Sequence, residues 1–175
     1  ISPTAVCQNL TVNLSTPTVA ASAIDGGSTD NCAVTTMLID GVPSKTFSCA
    51  DMPSKVVTLH VEDAEGNYDE CPATLTFVDN VPPVAVCKNV TVNLSAPTIA
   101  ASAIDGGSTD NCGITSRLIN GAASRTFTCA NLGANNVTLR VRDAAGNFAE
   151  CAATVTVVDD IPPVPGCRAS VTVNL

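Results

Sequence analysis

The spacing of its nine cysteines constrains the fold of this chain more than any other feature of the sequence. Cys7, Cys87 and Cys167 lie 80 residues apart, and the other six cysteines form three pairs with the same separation. Residues 1–80 and 81–160 are identical at 49 of these 80 positions, so the cysteines belong to a sequence repeat. A fold for this chain must therefore accommodate the same cysteine positions in every copy of the repeat.

The repeat divides the chain into predicted domains. We expect two full repeats, at residues 1–80 and 81–160, and the first strand of a third repeat at residues 161–175. Each junction carries two adjacent prolines, in VDNVPP and VDDIPP. Proline donates no backbone hydrogen bond and stiffens an extended chain, so these segments are typical of linkers between domains.

Strand patterns predict the architecture of each repeat. VVTLHVE at residues 56–62 and CPATLTF at residues 71–77 alternate between apolar and polar side chains, as half-buried strands do. Asp-Gly at 40–41 and Asn-Gly at 120–121 suit a type I′ hairpin turn, which needs positive φ at both central residues. Roughly six or seven short strands with regular turns predict an all-β fold, a tandem of immunoglobulin-like β-sandwich repeats stapled by disulfides.

Charge and hydropathy argue against two classes of partner. The net charge is −8, and the eight Lys and Arg residues are spread along the chain, which does not suit a phosphate backbone. No apolar run is long enough for a membrane span, so we expect neither nucleic acid nor a membrane crossing. C-x-x-C pairs are absent and His60 is the one histidine, which favours disulfides over zinc and predicts an extracellular or cell-surface location.

A thin core makes disulfides valuable in this chain. Aromatic residues make up 3% of the sequence and Trp is absent, so aliphatic burial leaves a small margin over chain entropy. Two disulfides per repeat would each add roughly 2–4 kcal/mol. Four cysteines allow three pairings, and the inward phase of the strands favours one of them. The predicted bonds are Cys7–Cys71, Cys32–Cys49, Cys87–Cys151 and Cys112–Cys129.

The same positions resemble a known group of repeats. A boundary Pro-Pro, a cysteine on the first strand, a central Asp-Asn and a D-x-x-G-N turn before the next cysteine are typical of hyalin-type repeats. The matching residues of the second repeat are Pro82, Pro83, Cys87, Asp110, Asn111, Asp143, Gly146, Asn147 and Cys151, with their counterparts in the first. Such repeats are immunoglobulin-like modules of extracellular proteins, and similar tandem copies occur in very large bacterial adhesins and filaments. The resemblance implies adhesion or structural spacing.

The string AIDGGSTDNC occurs unchanged at residues 23–32 and 103–112, and it predicts a calcium site. Ca²⁺ takes roughly six to eight hard oxygen ligands, which Asp, Asn and backbone carbonyls supply. The D-x-x-G-N turn and the segment before Pro-Pro could meet this loop and bind the same ion, which would lock one domain against the next. The predicted ligands are Asp25, Asp30, Asn31, Asp63, Asn67, Asp79, Asp105, Asp110, Asn111, Asp143, Asn147 and Asp159. The alternative is turn chemistry without a metal, because Asp and Asn also bond their own backbone.

Together these features predict a structural protein. We expect a component of an extracellular filament or adhesin stalk, built of tandem domains and rigidified by disulfides and Ca²⁺. The alternative is a carbohydrate- or protein-binding adhesion module, for which the sequence offers few aromatic residues. We expect no enzyme, because a G-x-S-x-G motif is absent and His60 lies on a polar strand face, with Arg140 in its place in the second repeat.

Two features leave partners open. Other copies of the same repeat are the expected partners, in tandem or as a homopolymer, and Cys167 would pair within a longer chain or with a second molecule. Glycans are a further candidate, because outward strand positions carry N-x-S/T sequences. These begin at Asn9, Asn13, Asn89, Asn93 and Asn136.

Overall fold

Six β-strands form each repeat, in agreement with the alternating pattern of the sequence. The computed structural model describes residues 1–166, and these contain strands and short 3₁₀ turns but no α-helix. The predicted all-β sandwich is confirmed. Cys167 and the strand predicted after it lie outside the described residues.

Equivalent strands recur about 80 residues apart, as the sequence repeat requires. The strands of the first repeat are β1 (Leu10–Asn13), β2 (Thr18–Ala20), β3 (Thr36–Ile39), β4 (Ser44–Thr46), β5 (Ser54–Glu62) and β6 (Tyr68–Val78). Those of the second repeat are β7 (Val90–Asn93), β8 (Thr98–Ala100), β9 (Ile114–Ile119), β10 (Ser124–Thr126), β11 (Gly133–Asp143) and β12 (Phe148–Val158). The 3₁₀ turns are Ala21–Ala23, Cys49–Asp51, Ala101–Ile104 and Cys129–Asn131.

The first strand of each repeat lies beside the last. In the first repeat, one sheet has the order β1-β6-β5-β3 and a second sheet pairs β2 with β4. β1 runs parallel to β6, with Leu10 opposite Leu75, whereas β5 is antiparallel to both β3 and β6. The second repeat has the equivalent order β7-β12-β11-β9, with β8 paired to β10.

The chain contains two compact units. The first comprises Ile1–Val84, Thr109–Ser116 and Val141–Ala149, and the second comprises Ala85–Ser108, Arg117–Arg140 and the described residues from Glu150 onward. The first unit therefore includes two short segments of the second sequence repeat. The repeat boundaries at residues 80 and 160, taken from the sequence, stay a prediction.

Alternation along β5 places one face of this strand in the core of the first unit. Val57, Leu59 and Val61 are buried, and they pack with side chains from β1, β2 and β6 in one hydrophobic cluster. Val57 is 1% exposed, whereas Val56 on the opposite face is 65% exposed. Burial of one face alone explains why apolar and polar residues alternate along this strand.

The Asp-Gly and Asn-Gly turns have the backbone conformation that the sequence predicts. The φ values are 49° and 83° at residues 40–41, and 48° and 85° at residues 120–121. Two consecutive positive φ values are what a type I′ hairpin turn requires. The Oδ1 atom of Asp40 also accepts a hydrogen bond of 2.9 Å from the backbone N–H of Thr58, which ties this turn to β5.

Two disulfides join the start of each repeat to its last strand. Cys7 bonds to Cys71 and Cys87 bonds to Cys151, and both pairs are those that the sequence predicts. Each bond links cysteines 64 residues apart. On the chain-entropy account, closing a loop of that length stabilises the folded state by about 4 kcal/mol.

The predicted Cys32–Cys49 and Cys112–Cys129 bonds are wrong. Cys49 bonds instead to Cys112, and within residues 1–166 Cys32 and Cys129 are free and exposed. The prediction placed Cys32 and Cys49 on the inward face of strands. Cys32 lies in a loop before β3 and Cys49 begins a 3₁₀ turn, so the alternation of a strand applies to neither.

Two adjacent valines test how β5 is buried. We expect Val57→Ala to lower the free energy of unfolding by about 2 kcal/mol, because it removes two buried methyl groups and leaves a cavity. Val56→Ala makes the same chemical change on the exposed face, and it should alter stability by no more than about 0.5 kcal/mol. Urea unfolding of both variants is the measurement, and equal losses would contradict this burial pattern.

Candidate cation site

Three aspartates that are far apart in the sequence converge within the first unit. One carboxylate oxygen from each of Asp79, Asp110 and Asp143 lies within 4.8 Å of the other two. These three residues are called the carboxylate cluster below. All three belong to the set of ligands that the sequence predicts for calcium.

The backbone brings each carboxylate to the cluster from a different element. Asp79 directly follows β6, at the start of the segment that carries Pro82 and Pro83. Asp110 lies in the loop that leads into β9, and Asp143 is the last residue of β11. The segment before Pro-Pro, the central loop and the closing hairpin thus meet at one place.

Asp143 is held by the hairpin that follows it. Its Oδ1 atom accepts hydrogen bonds from the backbone N–H groups of Gly146, at 2.6 Å, and Asn147, at 2.8 Å. Its Oδ2 atom accepts a bond of 2.7 Å from the side-chain amide of Asn147. The same amide donates to the backbone carbonyl oxygen of Asp79 at 3.0 Å, so Asn147 links two members of the cluster.

Asp79 and Asp110 each leave one carboxylate oxygen without a protein partner. Asp79 Oδ1 accepts from the backbone N–H of Val81 and the side-chain amide of Asn111, at 3.1 and 3.2 Å. Asp110 Oδ2 accepts from the backbone N–H of Cys112 at 2.8 Å. Asp79 Oδ2 and Asp110 Oδ1 are buried and have no hydrogen-bond partner among the described residues. A buried, unpaired carboxylate oxygen is costly unless a cation or a donor reaches it.

None of the basic side chains that form ion pairs is paired with an aspartate of the cluster. Asp79 is 4% exposed and Asp143 is 3% exposed, so water screens these carboxylates poorly. Four of the eight Lys and Arg residues form ion pairs with other acids. These pairs are Lys45–Asp40, Lys55–Asp51, Arg117–Asp105 and Arg140–Glu150. Three anions at such short range favour a divalent cation between them.

Asp25 and Asp105 hold their own loops and do not belong to the carboxylate cluster. Asp25 Oδ1 accepts from the backbone N–H groups of Gly27 and Ser28, at 3.3 and 2.8 Å, and from the Ser28 hydroxyl at 2.6 Å. The same three bonds recur around Asp105. Turn chemistry therefore accounts for these two aspartates of the repeated string.

Arg117 distinguishes Asp105 from Asp25. Its Nε donates to Asp105 Oδ2 at 2.5 Å, whereas Met37 occupies the matching position of the first repeat. Burial alone would raise the pKa of Asp105. Hydrogen bonds from Ser108 and Arg117 outweigh burial and hold that pKa well below its usual range. The ion pair was not among the sequence predictions, although a basic residue that differs between the two copies was a visible signal.

The first repeat carries part of the same arrangement. Asp30 Oδ1 is buried without a partner, as Asp110 Oδ1 is. Asp63 is buried like Asp143, and the Asn67 side-chain amide bonds to it at 2.8 Å, which is the main reason that the pKa of Asp63 is lowered. Neither residue belongs to the one group of three acidic residues found among residues 1–166.

Three other predicted ligands contribute no carboxylate to the cluster. Asn111 contacts the cluster only as the hydrogen-bond donor to Asp79. Asn31 donates instead to the sulfur of Cys32, at 3.2 Å. Asp159 is exposed and accepts a bond of 3.0 Å from the backbone N–H of Ile161. The structure thus brings three of the predicted ligands together, with Asn111 and Asn147 as hydrogen-bond donors to them, and the other predicted ligands do not belong to this cluster.

The chain was compared with known proteins. No protein-family model matches it, and no curated protein matches it. Solved structures that resemble it include protocadherin gamma B7 extracellular cadherin domains 1–4, at 8% identity, with 91% of this chain and 51% of that chain covered and a TM-score of 0.43. Human protocadherin-24 EC1-2 has 10% identity, 91% and 100% coverage and a TM-score of 0.44. Drosophila N-cadherin EC1-4 has 6% identity, 90% and 50% coverage and a TM-score of 0.42.

The chain spans about half the length of the protocadherin gamma B7 and N-cadherin structures. Similarity at this level of identity does not extend to function. Separately, none of the helices within residues 1–166 is long and apolar enough to cross a membrane.

Arg117→Met tests the ion pair with Asp105. We expect the variant to lose about 1 kcal/mol of unfolding free energy at neutral pH, because Asp105 keeps its loop bonds but loses a charged donor. The folded-state pKa of Asp105 is depressed, so the ion pair stabilises the fold above the ordinary aspartate pKa, and this contribution is lost as pH falls through the folded value. The difference between the two proteins should therefore shrink in acid.

Urea unfolding at neutral pH and in acid measures both effects. The reciprocal variant Met37→Arg is the matched control, because it offers Asp25 the partner that Asp105 has. A loss that stayed constant from neutral pH into acid would show that Arg117 acts by packing and not by charge.

Proposed function

We propose that this chain is a structural module of an extracellular filament or adhesin stalk, whose tandem β-sandwich repeats are held by cystines and by calcium. The carboxylate cluster is the observation that carries the proposal, since two of its three aspartates are buried and repulsion among three neighbouring carboxylates is costly without a cation. The proposal assigns the chain no catalytic activity. Its work is mechanical.

The chemistry of the cluster suits calcium. Asp79, Asp110 and Asp143 offer only oxygen ligands, and hard cations such as Ca²⁺ prefer oxygen. Two of those oxygens, on Asp79 and Asp110, have no hydrogen-bond partner among residues 1–166. Asp143 would act through a carboxylate that its hairpin already orients. A bound cation would supply positive charge there and offset the repulsion among the three anions.

A cation at this place would hold segments of both sequence repeats together. Asp79 belongs to the segment before Pro82-Pro83, whereas Asp110 and Asp143 belong to the second repeat. The Cys49–Cys112 disulfide also joins the two repeats, and Cys112 is two residues from Asp110. Ion and cystine would therefore restrain the same loop, which supports a stiffening role.

The cystines support an extracellular location. Three disulfides are formed within residues 1–166, and bonds of this kind persist in oxidising compartments. They also compensate for a small core, since each one removes entropy from the unfolded chain. Resistance to unfolding and proteolysis is what an exposed stalk needs.

Calcium should raise the thermal stability of the oxidised chain. Ligand that binds only the folded state at roughly a hundredfold above its Kd adds about 2.7 kcal/mol, so we expect Tm to rise by about 5–10 °C over the value in chelator. The measurement is a pair of thermal melts, with and without calcium, combined with a count of bound metal by calorimetric titration. Melts that overlay, with no bound metal, would reduce the cluster to turn chemistry.

Asp79→Asn and Asp159→Asn form a matched pair for the same assay. The two aspartates occupy the same position of successive repeats, but only Asp79 lies in the carboxylate cluster. Asp79→Asn should abolish the calcium-dependent rise in Tm and leave the Tm in chelator equal or higher, because one negative charge is removed. Asp159→Asn should keep the full rise. Equal behaviour of the two variants would contradict the assignment of the site.

A further inference from the structure

The two free cysteines of the described chain are the repeat counterparts of two cysteines that are bonded to each other. Cys32 lies 80 residues before Cys112, and Cys129 lies 80 residues after Cys49. Cys49 and Cys112 are bonded to each other, with Cα atoms 5.4 Å apart. Each free cysteine is therefore the counterpart of one half of an existing bond, and the two halves are complementary.

Cys32 has the same local surroundings as its bonded counterpart. The backbone N–H of Cys112 donates to Asp110 Oδ2 at 2.8 Å, and that of Cys32 donates to Asp30 Oδ2 at 2.7 Å. In both copies the side-chain amide of the preceding asparagine donates to the cysteine sulfur, at 3.3 and 3.2 Å. The loop thus presents the sulfur in the same way whether or not it is bonded.

Cys129 likewise has the surroundings of Cys49. Each cysteine begins a 3₁₀ turn, and a hydroxyl residue, Ser48 or Thr128, precedes it. In each copy the third residue of the turn accepts a hydrogen bond from the backbone N–H of that hydroxyl residue, at 2.9 Å in the first repeat and 3.0 Å in the second. Cys129 is exposed, so a partner thiol can reach it.

The acidic residues near these cysteines are complementary between the two repeats in the same way. Asp159 accepts a bond from the N–H two residues ahead at 3.0 Å, as Asp79 does at 3.1 Å. At the other end, Asp30 keeps a buried oxygen without a partner, as Asp110 does. The first repeat therefore carries the Asp110 and Cys112 half of a junction, and the second repeat carries the Asp79 and Cys49 half.

We propose that Cys129 of one chain forms a disulfide with Cys32 of a second copy, in the way that Cys49 bonds Cys112 within one chain. This inference rests on the proposed function, since it requires an array of repeats. The bond is heterologous, so a joined pair still has one free Cys32 and one free Cys129, to which further copies can add. The partner is identified by its chemistry, a second copy of this chain.

The reaction balances with a disulfide oxidant such as oxidised glutathione. One cysteine thiolate attacks glutathione disulfide and releases one glutathione thiolate, and the second cysteine then attacks the mixed disulfide and releases the other. The two cysteine thiols lose their protons, and the two departing glutathione thiolates take up two protons. The two electrons pass to glutathione, which leaves as two thiols.

The test uses the full chain with Cys167→Ser, so that Cys32 and Cys129 are the only unassigned thiols, in a glutathione redox buffer. This protein should form a ladder of oligomers on a non-reducing gel, and the ladder should collapse on reduction. Cys32→Ser and Cys129→Ser, each alone, should stay largely monomeric. An equimolar mixture of the two should form a single dimer, roughly tenfold more abundant than either like-with-like dimer, a preference of about 1.4 kcal/mol.

Mass spectrometry of the cross-linked peptides identifies the bond. The Cys129–Cys32 peptide is expected in the mixed dimer and in the ladder of the parent protein, and this second readout does not depend on either serine variant folding. Like-with-like dimers in equal yield, an intramolecular Cys32–Cys129 bond, or thiols that stay free would each overturn the proposal. Calcium-dependent melting of the monomer is measured separately, so failure here is distinguishable from failure of the proposed function.

Discussion

A small aliphatic core limits what each repeat of this chain can hold together without help. The core of the first repeat consists mainly of Val, Leu, Ile and Ala side chains, with Phe47 and Phe77 in contact at 5.2 Å between ring centroids. A domain of this size buries too little surface for a wide margin over chain entropy. The bond between Cys7 and Cys71 compensates for part of this shortfall, because it holds the start of the repeat against β6, the longest strand of the sheet.

The carboxylate cluster depends on a fold that holds its aspartates in place. Bringing three acidic side chains together in a poorly hydrated place costs on the order of several kcal/mol unless the charge is balanced. Asp143 is fixed by its own hairpin, and Asp79 is fixed by the strand that Cys71 anchors. The fold thus holds three carboxylates close together, and the proposed calcium would offset their repulsion.

Sequence patterns predicted the parts of this structure that depend on local periodicity. β5 and the Asp40-Gly41 turn follow from burial of one face and from positive φ, which leave direct traces in the choice of residues. The pairing of Cys49 did not follow, because Cys49 begins a 3₁₀ turn and Cys112 lies in a loop, where the alternation of a strand gives no information, and the bond joins one sequence repeat to the next. Among the predicted ligands, Asp105 and Asp110 look alike in the sequence. Only their contacts separate a loop-holding aspartate from one that faces two other carboxylates.

The disulfides also decide how far the chain can be stretched. Between Cys7 and Cys151, the shortest covalent path crosses from Cys7 to Cys71, follows the backbone to Cys87 and crosses again to Cys151. The only backbone along that path is the stretch from Cys71 to Cys87, which measures about 55 Å when fully extended. Without the cystines, the whole backbone from Cys7 to Cys151 would extend to about 490 Å. Even a complete loss of folded structure under tension would release little length. In the proposed stalk, such units would form a tether of nearly constant length rather than a spring.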